Sequence, residues 1–193
     1  MRVSQNSQIS HLKGRSTTHA LIGMLHHWHK ALDEGLSVRI LFVDYAKAFD
    51  HVDRCVSLQK MRTYGVPDII VRWLTSFLCE RQQRVKICDI FSDWVTLRGG
   101  MSQGTWLGPL TFTILIDDLR PGLRIHKYVD VTTVTEIIEK GSVSEMQNTT
   151  ATLVEWSELN SMNINTRKTK EMVMGSCGTE MNTLMISSTA VDV

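Results

Sequence analysis

The stretch HKYVDVTTV, residues 126–134, decides how this chain is read. Its valines and threonines favour extended backbone, yet a lone aspartate, Asp130, stands between two valines at its centre. A carboxylate among apolar neighbours is costly to bury, so Asp130 either occupies an exposed turn or faces something positive, of which a bound metal ion is one example. The turn reading splits the region into two strands that face each other, LRIHKYVD (123–130) and VTTVTEI (131–137), with VDV at or near their junction.

Working outward from that hairpin, SVRILFVDY (37–45) reads as a buried strand, because five residues between Val38 and Val43 are β-branched or apolar without alternation. Asp44 lies at its C-terminal end. Before it, residues 17–34 have helical spacing, with Leu21, Met24, Leu25, Trp28 and Leu32 on one face and Gly35 as a stop. After it, residues 46–65 are a helical candidate closed by Gly65. Pro67 then opens an amphipathic helix through Ile69, Ile70, Trp73, Leu74, Phe77 and Leu78. RQQRVKI and DWVTLRGG read as short strands around a turn at Asp89, and residues 101–119 as a glycine turn followed by an apolar helix that Pro121 and Gly122 break. A helix over 142–162 and a strand over 170–175 complete the clear elements, and 184–193 still reads as strand. The order predicts an α+β fold, an antiparallel sheet with helices packed on one face. If the first strand neighbours the hairpin, Asp44 and Asp130 meet.

Composition narrows the class less than the pattern does. At 193 residues the chain suits one ordinary domain or a large piece of a bigger one. Lys plus Arg number 21 against 20 for Asp plus Glu, so any basic surface is local. The four cysteines show no zinc-like spacing, no secretory leader precedes them, and no apolar run reaches the roughly 18 residues of a membrane span. An intracellular protein of nucleus or cytoplasm, not secreted and without membrane contact, is the expectation. Both ends read as cut, which predicts a fragment of a longer polypeptide.

Four segments, FVDYAKAFDHVD, GGMSQGTWLGPLTFTILIDDL, YVDVTT and NSMNINTRKTKEMVMG, in that order and spacing, resemble the successive palm motifs of reverse transcriptases from non-LTR retrotransposons of the LINE and Jockey-like type. LKGRSTTHAL upstream resembles the segment that precedes the palm in those enzymes. The resemblance runs from about Lys13 to Val173. It implies a right-hand polymerase: residues 1–35 as a residual fingers segment, 36–175 as the palm, and 176–193 as the start of the connection to a thumb, with the earlier fingers and most of the thumb lying outside the chain.

The implied reaction is RNA-directed DNA synthesis, using an RNA template, a DNA primer and deoxynucleoside triphosphates. In-line displacement at phosphorus gathers charge on the attacking and leaving oxygens, and two Mg2+ ions held by carboxylates answer that need. By resemblance Asp44 and Asp130 are the catalytic metal ligands, with the backbone carbonyl of Tyr45 beside them, and Lys168 is the lysine beneath the nucleotide phosphates. Phe49 matches the residue under the nucleotide sugar, and Gln103 and Gly104 match the turn that contacts nucleotide and template. Arg81, Arg84 and Lys86 form a candidate phosphate-binding strip, as do Arg120, Arg124 and Lys127.

Each residue also has a plainer reading. Asp44 alone is a strand-end aspartate capping the next helix, Asp130 a turn residue, Phe49 ordinary packing and Lys168 solvated surface. The departures from the family matter more. Where it has Tyr-Ala-Asp-Asp, this chain has Tyr128, Val129, Asp130 and Val131, so the third carboxylate position is an isopropyl group. Ser102 stands where proline is usual. Asp117 and Asp118 are helix neighbours that do not face the same way, so they form no paired ligand set. His26 and His29 lie one helical turn apart with no acid or cysteine nearby and receive no role. The expected activity is weak or absent in this polypeptide alone, and the rival reading is a non-catalytic remnant that binds RNA or protein.

Overall fold

The structure is a computed structural model that describes residues 16–97, 99–101, 105, 107–128, 130–176 and 182–192. In chain order the elements are α1 (Thr17–Asp33), β1 (Ser37–Asp44), α2 (Arg54–Thr63), α3 (Asp68–Leu78), β2 (Gln82–Gln83), β3 (Lys86–Ile87), β4 (Ile90–Phe91), β5 (Val95–Thr96), α4 (Leu107–Ile116), β6 (Arg124–Tyr128), β7 (Val131–Ile138), α5 (Met146–Leu159), β8 (Lys170–Met174), β9 (Met185–Ile186) and β10 (Thr189–Ala190). The described residues form two compact units, one within Lys47–Ile116 and one of those up to Ala46 together with those from Asp117 onward.

The second unit is built on a four-stranded antiparallel sheet in the order β6-β7-β1-β8. Because β1 has a strand on each side and cover on both faces, Val38, Ile40, Leu41 and Val43 are all but fully buried, which is why its sequence does not alternate. Side chains still divide between the two faces. Val38 and Ile40 pack against Met24, Trp28 and Ala31 of α1, and Trp28 Nε1 donates to Thr135 Oγ1 at 3.2 Å. On the other face, Arg39 makes a buried ion pair with Glu171 of β8 and donates to Ser144 Oγ at 2.9 Å and the Asn182 carbonyl at 2.8 Å. Ser144 in turn donates to Glu136, so one polar network ties β1, β7 and β8 in register.

In the unit Lys47–Ile116, Leu58 and Met61 of α2, Val71 and Leu74 of α3, and Ile114 of α4 make the core. Helix α2 begins later than its sequence spacing predicts. Asp53 sets the start, accepting from the backbone N–H of Cys55 and Val56 at 2.8 and 3.2 Å, and Lys47 at φ 47° breaks the preceding turn. The two short strands expected around Asp89 are nested pairs, β2 with β5 and β3 with β4. Residues 184–193 form a hairpin rather than one strand, since Ser187 takes φ 54° between β9 and β10.

Candidate active site

The end of β1 is held from two sides. The Asp44 N–H donates to Thr169 Oγ1 at 3.3 Å, and its carbonyl accepts from Asn165 N at 2.8 Å. Ala46 N donates to the Asn163 carbonyl at 2.8 Å, and Tyr45 pairs with Ile164. The segment Asn163–Thr169 is thereby fastened to the β8 edge of Asp44. Its turn carries Lys168, which is exposed, while Thr169 is fully buried beneath it.

On the opposite edge Asp44 stands in register with Val131 of β7. Since both backbone polar groups of Asp44 point to the β8 edge, its pairing with Val131 is of the non-hydrogen-bonded kind, in which opposed side chains come closest. Directly opposed residues share a face, so the Asp44 carboxylate and the Val131 isopropyl lie side by side. Asp130, half-buried, is a turn residue immediately before Val131. Backbone direction alternates along a strand, so the Tyr45 carbonyl faces the β7 edge, where Asp130 stands. The Tyr45 side chain goes the other way and is buried, its ring 6.4 Å from that of Trp156. Burial pushes its phenol up to about 12, an effect the hydroxyls of Thr132 and Ser157 only partly offset.

One corner therefore collects Asp44, Tyr45, Asp130, Val131 and Lys168 from three chain segments. Two carboxylates and a carbonyl are hard oxygen donors of the kind magnesium takes. Among the described residues no group of three or more His, Cys, Asp or Glu side chains could hold a metal, and the position facing Asp44 is the uncharged Val131. The donors fit a divalent cation in kind, and Val131 adds no oxygen to them.

The other sequence-predicted residues belong to the unit Lys47–Ile116 or lie outside the described residues, as Gln103 and Gly104 do. Phe49 is half-buried, its ring 5.0 Å from Phe112, and its carbonyl accepts from Met101 N at 2.8 Å. Arg81 lies over the Phe77 ring, Arg84 against Phe91 and Trp94, and Lys86 beside Phe91. The second basic strip is corrected by the structure. Lys127 is 1% exposed and donates to the Asp117 carbonyl at 3.1 Å, because strand alternation turns it inward with Val43 and Thr132. Asp118 accepts from Trp156 Nε1 at 3.0 Å, a supporting contact.

Sequence reasoning missed Arg54. Its buried guanidinium donates to the carbonyls of Leu78 (2.5 Å), Leu97 (3.0 Å), Gly99 (2.7 Å) and Gly100 (3.0 Å), gathering the chain on both sides of the hairpin. Desolvation, then the nearby Arg81 charge, holds its pKa below the usual arginine range. The available signal was a cation at the first residue of α2, where the helix dipole disfavours one. Gly100 has φ +79°, and a Cβ there would stand 2.9 Å from the Asp50 carbonyl oxygen. Arg54, Leu97, Gly99 and Gly100 line a cleft of about 490 Å3 together with Asp50, Arg81, Gln83 and Met101.

Comparison with known proteins gives a consistent outcome. The family model described as reverse transcriptase (RNA-dependent DNA polymerase) matches residues 3–189. The chain is 29% identical over 103 residues to the retrovirus-related Pol polyprotein from type-1 retrotransposable element R2 of Popillia japonica, covering 53% of this chain and 17% of that protein. It is 27% identical over 124 residues to the probable RNA-directed DNA polymerase from transposon BS of Drosophila melanogaster, covering 61% and 13%. The chain thus spans less than a fifth of either relative. Among solved structures, the apo telomerase of Candida tropicalis truncated from its C-terminal domain superposes with a TM-score of 0.68 at 13% identity, over 96% of this chain and 39% of that one. The Candida tropicalis telomerase in complex with a TWJ fragment of telomeric RNA gives 0.67 at 12% identity, over 95% and 33%. Identity this low carries the fold alone, and that fold is the palm-like arrangement of antiparallel sheet and helices.

Proposed function

Since the chain belongs to the reverse transcriptase family, as a domain of the non-LTR retrotransposon type, we propose that it is the nucleotidyl-transfer domain of an RNA-directed DNA polymerase, weakened at the hairpin. The observation that carries the reading is the corner at the end of β1, where Asp44 stands in register beside the Asp130 turn. Residues 1–35 are assigned to the fingers, 36–175 to the palm and 176–193 to the connection with a thumb. No helix among the described residues is long and apolar enough to cross a membrane, and we assign the protein to the cell interior.

In this proposal Asp44, Asp130 and the Tyr45 carbonyl hold the divalent ions. When bound, such ions offset the charge that builds on the attacking and leaving oxygens. The ladder fixes the backbone at Asp44 and ends beside the turn that carries Asp130, so little backbone reorganisation is needed at the moment of reaction. Lys168 stands on a turn pinned to Asp44 through Asn165 and Thr169, and it supplies positive charge, and a proton, to the departing pyrophosphate. Phe49 packs beneath the sugar, and Gln103 and Gly104 contact the nucleotide and template. Val131 removes one ligand without disturbing the strand, since valine suits the ladder.

Primer extension on a homopolymer RNA template tests the reading. Weak incorporation that Val131→Asp raises and Asp44→Ala abolishes is expected. Incorporation that survives Asp44→Ala would overturn the assignment. The second reading, a non-catalytic remnant, is favoured by Val131 itself. It predicts no incorporation from either the unaltered chain or Val131→Asp, with RNA binding retained.

A further inference from the structure

The unit Lys47–Ile116 carries exposed rings beside the cations Arg81, Arg84 and Lys86, and nucleotide transfer gives those rings no part. Helix α3 buries Val71, Leu74 and Leu78 and turns Trp73 and Phe77 outward, one helical turn apart. Their rings stack at 5.9 Å and 11°, with the Arg81 guanidinium 4.9 Å over Phe77. In the hairpin that follows, the Arg84 guanidinium is 4.0 Å from the Phe91 ring centre and 4.5 Å from that of Trp94, and Lys86 Nζ is 5.3 Å from Phe91. Trp73 is 62% exposed and Trp94 57%.

Large rings left exposed in clusters, here Trp73 and Phe77 with Arg81, and Phe91 and Trp94 with Arg84 and Lys86, mark a binding face. A guanidinium covered by rings keeps its donors in its own plane, directed outward and held in one orientation. Among the described residues Arg84 and Lys86 make no ion pair or hydrogen bond, and the hairpin's own acids, Asp89 and Asp93, do not pair with them. Two unpaired cations beside two open ring faces call for a ligand that offers anions and flat apolar surfaces in alternation. A duplex hides its base faces and meets only half of that requirement. An apolar protein surface meets the other half.

We propose that the hairpin Gln82–Thr96, with the Trp73 and Phe77 rings, is a platform for an unpaired stretch of polynucleotide. Arg84 and Lys86 take phosphates, and Trp94 and Trp73 stack on bases. The expectation of a nucleic-acid ligand rests on the polymerase reading, but the platform is independent of the metal-binding corner.

The test measures fluorescence anisotropy of a labelled oligouridylate, and of a blunt RNA duplex of equal length, with the full chain over a salt series. Base stacking on one aromatic residue predicts that Trp94→Ala weakens single-strand binding about tenfold with the duplex unaffected and the salt dependence unchanged. Trp94→Phe keeps most of the affinity. Arg84→Ala and Lys86→Ala each make the plot of log affinity against log salt shallower by about 0.7, the value for one phosphate contact on a single strand. If Trp94→Ala and Arg84→Ala bind the single strand as the unaltered chain does, or if Trp94→Ala weakens the duplex equally, the platform is refuted. Absence of incorporation by every variant would count against the polymerase reading and leave this result standing. These side chains are exposed, and unchanged circular dichroism verifies that the variants remain folded.

Discussion

Replacing Val131 by aspartate should make the stability of this protein depend on divalent cations. Val131 is 38% exposed and stands in register with half-buried Asp44, beside Asp130. A carboxylate there would face that of Asp44 at roughly 5 Å, a separation at which like charges repel by about 1 kcal/mol in water and about 3 kcal/mol at an effective dielectric of 20. Partial exposure favours the lower figure. Loss of the valine's strand preference adds up to about 1 kcal/mol, so Val131→Asp should cost about 2 kcal/mol in chelator. A cation bound only by the folded state returns RT ln(1 + [L]/Kd), about 2.7 kcal/mol at a hundredfold excess over Kd. The sign of the substitution should therefore reverse: destabilising in EDTA, neutral or slightly stabilising in excess Mg2+. Urea denaturation of the unaltered chain, Val131→Asp and Val131→Asn in the two buffers reads this directly. Val131→Asn loses the valine without adding charge, so magnesium should not rescue it. An equal deficit for Val131→Asp in EDTA and in magnesium would refute the reasoning, because Asp44, Asp130 and residue 131 would then not share an ion.

Three further outcomes follow from the described geometry. Glu171→Ala strands a buried guanidinium and should cost about 3–5 kcal/mol by urea denaturation, whereas Arg39→Met with Glu171→Met together should cost far less. Gly100→Ala combines φ +79° with a Cβ 2.9 Å from the Asp50 carbonyl oxygen, and about 2 kcal/mol or more of lost stability is expected from thermal unfolding. His126 is 9% exposed, and burial, followed by the charges of Arg124 and His27, holds its pKa down to about 4 from 6.5. The unfolded chain binds a proton there that the folded chain refuses, so stability is full above pH 6.5 and is lost as pH falls toward 4, by up to about 3 kcal/mol. His126→Gln should flatten the urea midpoint between pH 7 and pH 4.5, and an unchanged slope would clear His126 of the effect.

Where the chain's chemistry is written in local periodicity, the sequence was readable. The non-alternating apolar residues of β1, interrupted by Arg39, announce burial on both faces, and Asp130 between valines announces a turn inside strand-forming residues. Together they place two acids at one end of one sheet. The polar network of Arg39, Glu171, Ser144 and Glu136 was invisible, because it joins residues far apart in the chain and no spacing rule links them. Arg54 was missed for a related reason. A buried arginine resembles a surface one until the carbonyls it serves are brought together, and those carbonyls belong to backbone of any sequence. Lys127 shows the converse error, since its charge reads as surface while strand alternation turns it inward.

On the proposed reading, the corner at β1 also accounts for a palm that lacks one ligand and keeps its shape. What fixes Asp44 is backbone: Asn165 and Thr169 on one edge, the ladder to Val131 on the other, and the Tyr45 side chain anchored behind the sheet. None of these contacts uses a carboxylate oxygen. An acid at position 131 works against the apo fold, through repulsion from Asp44 and the lower strand preference of aspartate, and is offset only when a cation is bound. A change from aspartate to valine therefore favours folding and, on the proposed reading, removes a metal ligand. Unless synthesis is selected, folding provides no force to restore the acid. If position 131 is a ligand position, as proposed, stability and catalysis pull in opposite directions at that one residue, and a well-formed palm is then no measure of polymerase competence.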